Sequence, residues 1–247
     1  MNELELQLPT LQHKLAAENF KNDFFEVEEN LIYGSALFDK MEYEEWLVQN
    51  TNNRHESTVS SNWVVATTFF AVRKCDQKIV GMIDIRHNLK HDFLSQYGGH
   101  IGYSVRPDER KKGYATEMLK MGLEYAKSLN IEKVMVSCYA DNIPSIRTIE
   151  KLNGMLSETK PYLDGKLINI YWINLPNPPT HRAESPIITN VGHRPTEQNS
   201  HRPTEQNPLP PRAESPITTN VGHRPTEQNT PIITNVGHRP TEQNPPT

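Results

Sequence analysis

The sequence VRPDERKKGYATEML, residues 105–119, decides the fold of this protein. Three basic residues at positions 110–112 stand directly before Gly113. From Ala115 onward, apolar or small residues recur every three or four positions, which predicts a helix with one buried face. The turn therefore leads into a helix N-terminus, where free backbone N–H groups and the positive end of the helix dipole favour an anion. Gly113 allows a positive φ or a close approach of the backbone, as in phosphate-binding turns.

Charge and motif content narrow the choice of anion. Residues 1–176 carry a net charge of −4 and residues 177–247 are neutral, whereas a general nucleic-acid binder has a basic field over its domain. The sequence contains neither G-x-x-x-x-G-K-S/T nor G-x-G-x-x-G, so a nucleotide triphosphatase and a dinucleotide-binding fold are not supported. One small anionic ligand at a local basic turn is the favoured interpretation.

Hydrophobic patterns alternate between strand and helix over residues 1–176, which predicts an α/β fold of the α+β type with a mixed sheet. The runs 62–73 and 78–87 predict an antiparallel hairpin, and Asp164-Gly165 marks the turn of a second one. The predicted strands are 3–8, 62–73, 78–87, 100–106, 133–140, 155–159 and 166–175. The predicted helices are 12–25, 40–50, 115–130 and 142–154.

Residues 177–247 differ from the rest of the chain in composition. All 19 aromatic residues lie at or before Trp172, and the last 71 residues contain 14 prolines. The unit TNVGHRPTEQN occurs there three times without a change, and it offers too few apolar positions to stack into a repeat fold. We therefore predict a folded domain over 1–176 and a disordered, Pro-rich repeat tail over 177–247, for which docking or metal binding is the alternative to having no role.

Several classes of protein are excluded by what the sequence lacks. Cys75 and Cys138 provide neither a disulfide framework nor a metal-binding set, and no metal site is expected. The acidic start has no signal-peptide apolar core, and the longest apolar run, 63–72, is far shorter than a membrane span. The sequence predicts a soluble, cytoplasmic protein that contacts neither a membrane nor nucleic acid.

The turn RKKGYA, residues 110–115, resembles the R/Q-x-x-G-x-G/A motif of the GNAT N-acetyltransferase superfamily. It is entered from a strand that ends in Val-Arg-Pro, and the order of elements is similar over nearly all of residues 1–176. The later stretch ADNIPSIRTIEKLNG is similar to the next helix of that family, where an asparagine, here Asn142, contacts the cofactor. The resemblance is closest to the bacterial branch of predicted acetyltransferases. It implies a GNAT-like acyl-CoA N-acyltransferase fold and identifies the anion as the pyrophosphate of acetyl-CoA.

The resemblance also implies how the cofactor is held. In this fold the third and fourth core strands splay apart, and the thioester lies in the gap between them. Backbone groups of the third strand would hold the pantetheine arm and offer an N–H to the carbonyl oxygen. Backbone N–H groups of the turn would hold the pyrophosphate, with Arg110 bracing the turn or pairing with phosphate, and Asn142 would contact the cofactor, cap its helix, or do both. The implied cofactor-binding residues are Tyr103, Ser104, Val105, Arg110, Lys111, Lys112, Gly113, Tyr114, Ala115 and Asn142.

Acetyl transfer to an amine needs a base for the amine and an acid for the leaving thiolate. Many members of the family use a tyrosine seven residues beyond the asparagine as the acid, and Ile149 stands at that position here. Ser145 and Tyr139 are the candidate substitutes, with water as a further one. His100, which starts the third strand, and Asp84, on the polar side of the neighbouring strand, are the candidate bases. Each of these residues has a purely structural alternative.

The predicted activity is transfer of an acetyl group from acetyl-CoA to a primary amine by direct attack in a ternary complex. A small-molecule amine is favoured as the acceptor, and no covalent intermediate is expected. The alternative is a non-catalytic acyl-CoA-binding regulatory module, which Ile149 in place of the usual acid favours slightly. The resemblance implies an acceptor pocket built from the N-terminal helices and segment 88–99, and it leaves a homodimer open.

Overall fold

The computed structural model describes residues 3–175, so the predicted repeat tail over 177–247 lies outside the described residues. The strands are β1 (Leu4–Gln7), β2 (Ala66–Arg73), β3 (Ile79–Arg86), β4 (Ile101–Val105), β5 (Lys133–Tyr139), β6 (Met155–Pro161) and β7 (Leu167–Asn174). The helices are α1 (Lys14–Glu26), α2 (Tyr43–Asn52), α3 (Tyr114–Ser128) and α4 (Ile143–Lys151). Every predicted strand and helix is confirmed, with ends shifted by about four residues at most. Within residues 3–175, no helix is long and apolar enough to cross a membrane.

The strands form two antiparallel sheets that meet at one point. The first sheet has the order β1-β2-β3-β4 and the second the order β5-β7-β6, and α3 connects β4 to β5. At the start of β4, His100 N–H donates to the Met135 carbonyl at 2.8 Å, and Met135 N–H donates to His100 Nδ1 at 3.0 Å. Beyond this contact β4 and β5 form no ladder, which agrees with the splayed strands that the family resemblance implies.

Helices cover both faces of the first sheet. On one face, α3 packs against Ile83, Ile85 and Ile101, and Gly122 lets it approach so closely that a Cβ there would lie 2.6 Å from Ile83 Cδ1. On the other face, α1 and α2 pack their aromatic residues against Phe70 and β3. Since side chains alternate along a strand, β2 and β3 present apolar residues to both helical layers.

The predicted polar side of β3 is therefore wrong, because that side is buried beneath α1 and α2. Asp84 is 3% exposed, and its carboxylate lies 3.1 Å from Arg86 Nε and accepts the Thr68 hydroxyl at 2.9 Å. Arg86 also donates to the carbonyls of Gly98 and Gly99 at 3.2 and 3.3 Å. The alternation of charged with apolar residues in β3 reflects an internal ion pair, which needs several partners to offset the cost of removing both charges from water.

Candidate active site

The edge of β4 that faces β5 carries unpaired peptide groups. At the two ends of the ladder between β3 and β4, the His100 carbonyl and the Arg106 N–H each form a hydrogen bond of 2.8 Å to β3. Peptide groups of successive residues in an antiparallel strand point to opposite sides, so the even-numbered residues of β4 bond β3. Tyr103 therefore directs its N–H and C=O groups into the gap and Val105 its N–H, whereas the Val105 carbonyl accepts Arg110 Nε at 3.2 Å. The backbone of Ser104, a predicted cofactor contact, is used within the sheet instead.

The opposite edge, on β5, follows the same rule. The carbonyl of Glu132 and the N–H of Ala140 bond to the β7 side at 2.7 and 2.9 Å, so even-numbered residues of β5 face β7. Ser137 and Tyr139 consequently face the gap, where the Tyr139 carbonyl accepts the Asn142 N–H at 3.0 Å. Ser137 was not among the residues singled out from the sequence, because a serine inside an apolar strand carries no local sign that the strand edge beside it is open.

His100 closes the inner end of the gap. It is 7% exposed, and its Nδ1 accepts the Met135 N–H, so the ring nitrogen that could take up a proton is already engaged. Burial, followed by the nearby charge of Arg86, lowers the pKa of His100 to about 4. At neutral pH the imidazole is uncharged and links β4 to β5, and this geometry argues against His100 as the base.

The outer end of the gap lies at the N-terminus of α3. Gly113 is the N-cap residue with φ +90°, and Lys111 also has a positive φ of 65°. The N–H groups of Thr116 and Glu117 return to the Gly113 carbonyl at 3.1 and 3.2 Å, whereas those of residues 111–113 have no acceptor within residues 3–175. A Cβ on Gly113 would meet no atom within 4 Å, so the turn is open on its outer side. This arrangement of free N–H groups suits an anion.

Two of the three basic side chains of the turn are paired with carboxylates. Arg110 holds both oxygens of Glu29 at 2.6 Å, and its Nε donates to the last carbonyl of β4 at 3.2 Å. Lys112 Nζ donates to Glu109 at 2.7 Å. Lys111 has no ion pair within the described part of the chain. Arg110 thus braces the turn, and backbone N–H groups together with Lys111 supply the attraction for an anion.

Glu109 organises the charges beneath the turn. Its side chain is 4% exposed, and burial alone raises its pKa, but hydrogen bonds from three cations lower the pKa of Glu109 to about 2. The three cations are Lys112, Lys78 and Arg73. The carboxylate therefore stays charged and holds the end of β2, the start of β3 and the turn together.

The start of α4 borders the gap on the second sheet. Asn142 Oδ1 accepts the Ser145 N–H at 3.2 Å, which confirms the N-cap interpretation, while its contact with a cofactor stays a prediction. Across the gap, the Tyr103 hydroxyl is buried without a hydrogen-bond partner of normal geometry among residues 3–175. Burial raises the pKa of Tyr103, and the neighbouring Ser145 hydroxyl offsets part of that rise. An unpartnered buried hydroxyl beside two open strand edges is suited to a ligand rich in amide groups.

The candidate acids lie on different faces of β5. Ser145 belongs to α4, which packs with Cys138, whereas Tyr139 packs on the opposite face and donates its hydroxyl to Asp164 at 2.6 Å. Burial, and then Asp164, raises the pKa of Tyr139, so the phenol keeps its proton. Ile149 is fully buried in the core and so close to Gly154 that a Cβ there would lie 2.3 Å from Ile149 Cγ2. That position is part of the packed core in this chain.

Comparison with known proteins connects this geometry to a family. Residues 4–155 match the family model described as "Acetyltransferase (GNAT) domain". The chain belongs to the GNAT acetyltransferase family. The expected fold and the expected enzyme class, an acetyltransferase, are thereby confirmed.

Individual relatives are distant. The Bacillus subtilis (strain 168) protein "Uncharacterized N-acetyltransferase YnaD" is 33% identical over 75 residues, which are 30% of this chain and 44% of that protein, less than half its length. The ribosomal-protein-S5-alanine acetyltransferase of Vibrio fischeri has a TM-score of 0.54 at 17% identity, covering 70% of this chain and 94% of that one. A GNAT-family acetyltransferase of Bacillus anthracis has a TM-score of 0.50 at 17% identity, covering 70% and 95%. At these identities the two structures support the fold.

Proposed function

We propose that this GNAT enzyme transfers an acetyl group from acetyl-CoA to the primary amine of a small molecule, by direct attack in a ternary complex. The observation that carries the proposal is the gap between β4 and β5. It is lined by unpaired peptide groups, closed at its inner end by His100 and Met135, and open at the N-terminus of α3. A slot of this kind suits a long ligand with amides along its length and phosphate at one end.

The gap would hold acetyl-CoA mainly through the backbone. The peptide group of Tyr103 and the N–H of Val105 on one edge, and the peptide group of Ser137 on the other, would bond the pantetheine amides. The pyrophosphate would lie against the N–H groups of residues 111–115, with the Lys111 side chain adding charge. Asn142 and the Tyr103 hydroxyl are proposed to contact the arm of the cofactor.

The chemistry needs few protein groups. The amine nitrogen attacks the thioester carbonyl carbon, the new oxyanion is stabilised by an N–H of the β4 edge, and its collapse breaks the carbon–sulfur bond. Cys138 does not act as an intermediate nucleophile, because burial raises its pKa to about 12 and keeps the thiol protonated. The amine loses one proton to water, since His100 and Asp84 are engaged in structural contacts.

Ser145 and Tyr139 are the candidate donors of a proton to the leaving thiolate, and the Tyr139 hydroxyl would have to leave Asp164, to which it donates, before it could serve. Replacing each one separately distinguishes them, since Tyr139→Phe and Ser145→Ala remove one hydroxyl with little change of shape. The variant that lacks the acid should lose about a hundredfold in kcat with KM for acetyl-CoA unchanged. If kcat falls by less than about tenfold in both variants, water supplies the proton.

Titration of acetyl-CoA into the full chain tests the cofactor site. Gly113→Glu places a carboxylate at the proposed phosphate position and should weaken binding about a hundredfold, or roughly 3 kcal/mol. Gly165→Glu is the matched control, because Gly165 also has a positive φ of 81° and open space around its Cα, but lies in the β6–β7 turn. Equal binding by both variants, or no binding by the folded wild type, would overturn the proposal.

Release of free thiol from acetyl-CoA in the presence of a panel of primary amines tests turnover. The wild type should release thiol with at least one amine, and the product should be its N-acetyl derivative by mass. Binding of acetyl-CoA without release in the presence of any amine on the panel would contradict the proposed class of acceptor.

A further inference from the structure

A second feature lies on the other face of the first sheet, beneath α1 and α2. It is a cavity of about 40 Å³, lined by the chain between α1 and α2, by β3, and by the segment before β4. The polar and charged side chains that face it include Ser35, Asp39, Asp84, Arg86 and His91. Of the acceptor pocket expected from the N-terminal helices and segment 88–99, the lining contains His91 and Leu94 and the connection between α1 and α2, but no residue of the helices themselves.

Asp39 is the unusual member of this lining. The residue is 9% exposed, and one carboxylate oxygen, Oδ1, accepts the Ser35 hydroxyl at 2.7 Å. The other oxygen, Oδ2, is buried and has no hydrogen-bond partner within residues 3–175. A buried carboxylate oxygen without a donor is costly, so this atom is suited to a donor that arrives with a ligand.

Asp39 forms no ion pair among residues 3–175, and the burial that raises its pKa is offset in part by the Ser35 hydroxyl and by the charges of Lys40 and Lys21. Asp84 and Arg86 are paired with each other at 3.1 Å. The nearby Lys21 ammonium donates to the carbonyls of Phe38 and Met41 at 3.2 and 2.8 Å. Because Asp84 and Arg86 are paired with each other, the unpartnered carboxylate oxygen of Asp39 is the acceptor that a ligand can reach, and a cationic donor suits a carboxylate better than a neutral one.

The cavity also lies beside the place where the acetyl group would be held. A Cβ on Gly34 would lie 2.2 Å from the Gly102 carbonyl oxygen and 2.8 Å from Tyr103 Cα, so the α1–α2 connection rests directly on β4. Ser35, the next residue, donates its hydroxyl to the Asp39 carboxylate. The carboxylate is therefore connected by two adjacent residues to the stretch of β4 whose N–H groups face the gap.

We propose that this cavity holds a second, protonated amino group of the acceptor, and that Asp39 is the residue that selects it. The inference rests on the proposed function and narrows its acceptor to small diamines. The cavity volume of about 40 Å³ exceeds the roughly 15 Å³ that one water molecule needs, so an ammonium group of similar size fits. A monoamine of the same length would leave the Asp39 oxygen without a donor and would be a poorer substrate.

Matched pairs of substrates test this selectivity. The full chain is assayed with 1,3-diaminopropane, 1,4-diaminobutane and 1,5-diaminopentane, each beside the monoamine with the same carbon chain. The best diamine should exceed its monoamine in kcat/KM by at least about tenfold in the wild type. Asp39→Asn keeps the shape and an acceptor for Ser35, and it should reduce the preference to within about threefold, mainly by lowering kcat/KM for the diamine. Asp92→Asn, which alters an exposed carboxylate outside the cavity, is the control and should keep the preference.

Equal use of diamine and monoamine by the wild type, or an unchanged preference in Asp39→Asn, would overturn the inference. A failure of the proposed function has a different signature, namely no acetyl-CoA binding or no acetylated product from any amine. In that case, titration of 1,4-diaminobutane into the full chain decides the question by itself. Binding that Asp39→Asn loses by about tenfold supports the cationic site, and the absence of binding overturns it.

Discussion

The turn at residues 110–115 and the cavity around Asp39 are two separate features that are built differently. The turn is one continuous stretch whose side-chain charges are mostly paired, so its attraction for an anion comes from free backbone N–H groups. The cavity is assembled from several separate segments and holds a buried carboxylate with an unpartnered oxygen. A general ligand such as a phosphate can be held by the backbone, whereas selection among acceptors depends on side chains that tertiary contacts bring together.

Two glycines with positive φ make this comparison measurable. Gly34 has φ +69° and packs against β4, whereas Gly113 has φ +90° and open space. Gly34→Ala should lower the free energy of unfolding by about 4 kcal/mol, since a clash with rigid backbone adds to the conformational strain. Gly113→Ala adds conformational strain without a clash, so it should lower the free energy of unfolding by about 1 kcal/mol. Urea unfolding of both variants gives the two values, and losses of equal size would show that the α1–α2 connection does not rest on β4.

The contact between the two sheets gives the next largest effect. The pKa of His100 is lowered from its ordinary value of 6.5 to about 4, so the unfolded chain binds a proton more readily between these values. The stability that His100 contributes is fully present above pH 6.5 and is lost as the pH falls through this window, by about 3 kcal/mol at pH 4.

His100→Asn tests that contribution, because its amide oxygen can still accept the Met135 N–H but does not titrate. The fall in unfolding free energy between pH 7 and pH 4 should be smaller in the variant by about 3 kcal/mol, while the pH profile of activity keeps its shape. A profile that loses its lower limb in the variant would restore His100 as a base.

The charges beneath the turn give the smallest effect. Glu109→Gln removes a buried charge that three cations share, and it should lower the free energy of unfolding by about 2 kcal/mol, less than for a fully buried pair because the cations keep contact with water. Asp108→Asn removes the exposed partner of Lys78 and should cost less than about 1 kcal/mol. Thermal or urea unfolding at pH 7 compares them, and equal costs would mean that Glu109 does not organise the turn.

Periodicity and local motifs were sufficient to predict every strand and helix and the turn at 110–115, because these features depend on residues close together in the sequence. They were misleading for β3, since alternation of apolar and charged residues describes a solvent-facing strand and an internal Asp84–Arg86 pair equally well. Asp39 and Ser137 escaped notice for a related reason. Their exposure to a cavity or a gap depends on where β4 lies, and no pattern within segment 31–39 or within β5 encodes that position.

The open edge of β4 has a consequence for the exchange of amide hydrogens with solvent deuterium. Gly102 and Ser104 donate within the sheet, whereas Tyr103 and Val105 direct their N–H groups into the gap. Protection should therefore alternate from one residue to the next along a single central strand, where a continuous sheet would protect all four amides alike. A molecule that filled the gap would remove this alternation, so a residue-by-residue exchange measurement would record its occupancy without any chemical reaction.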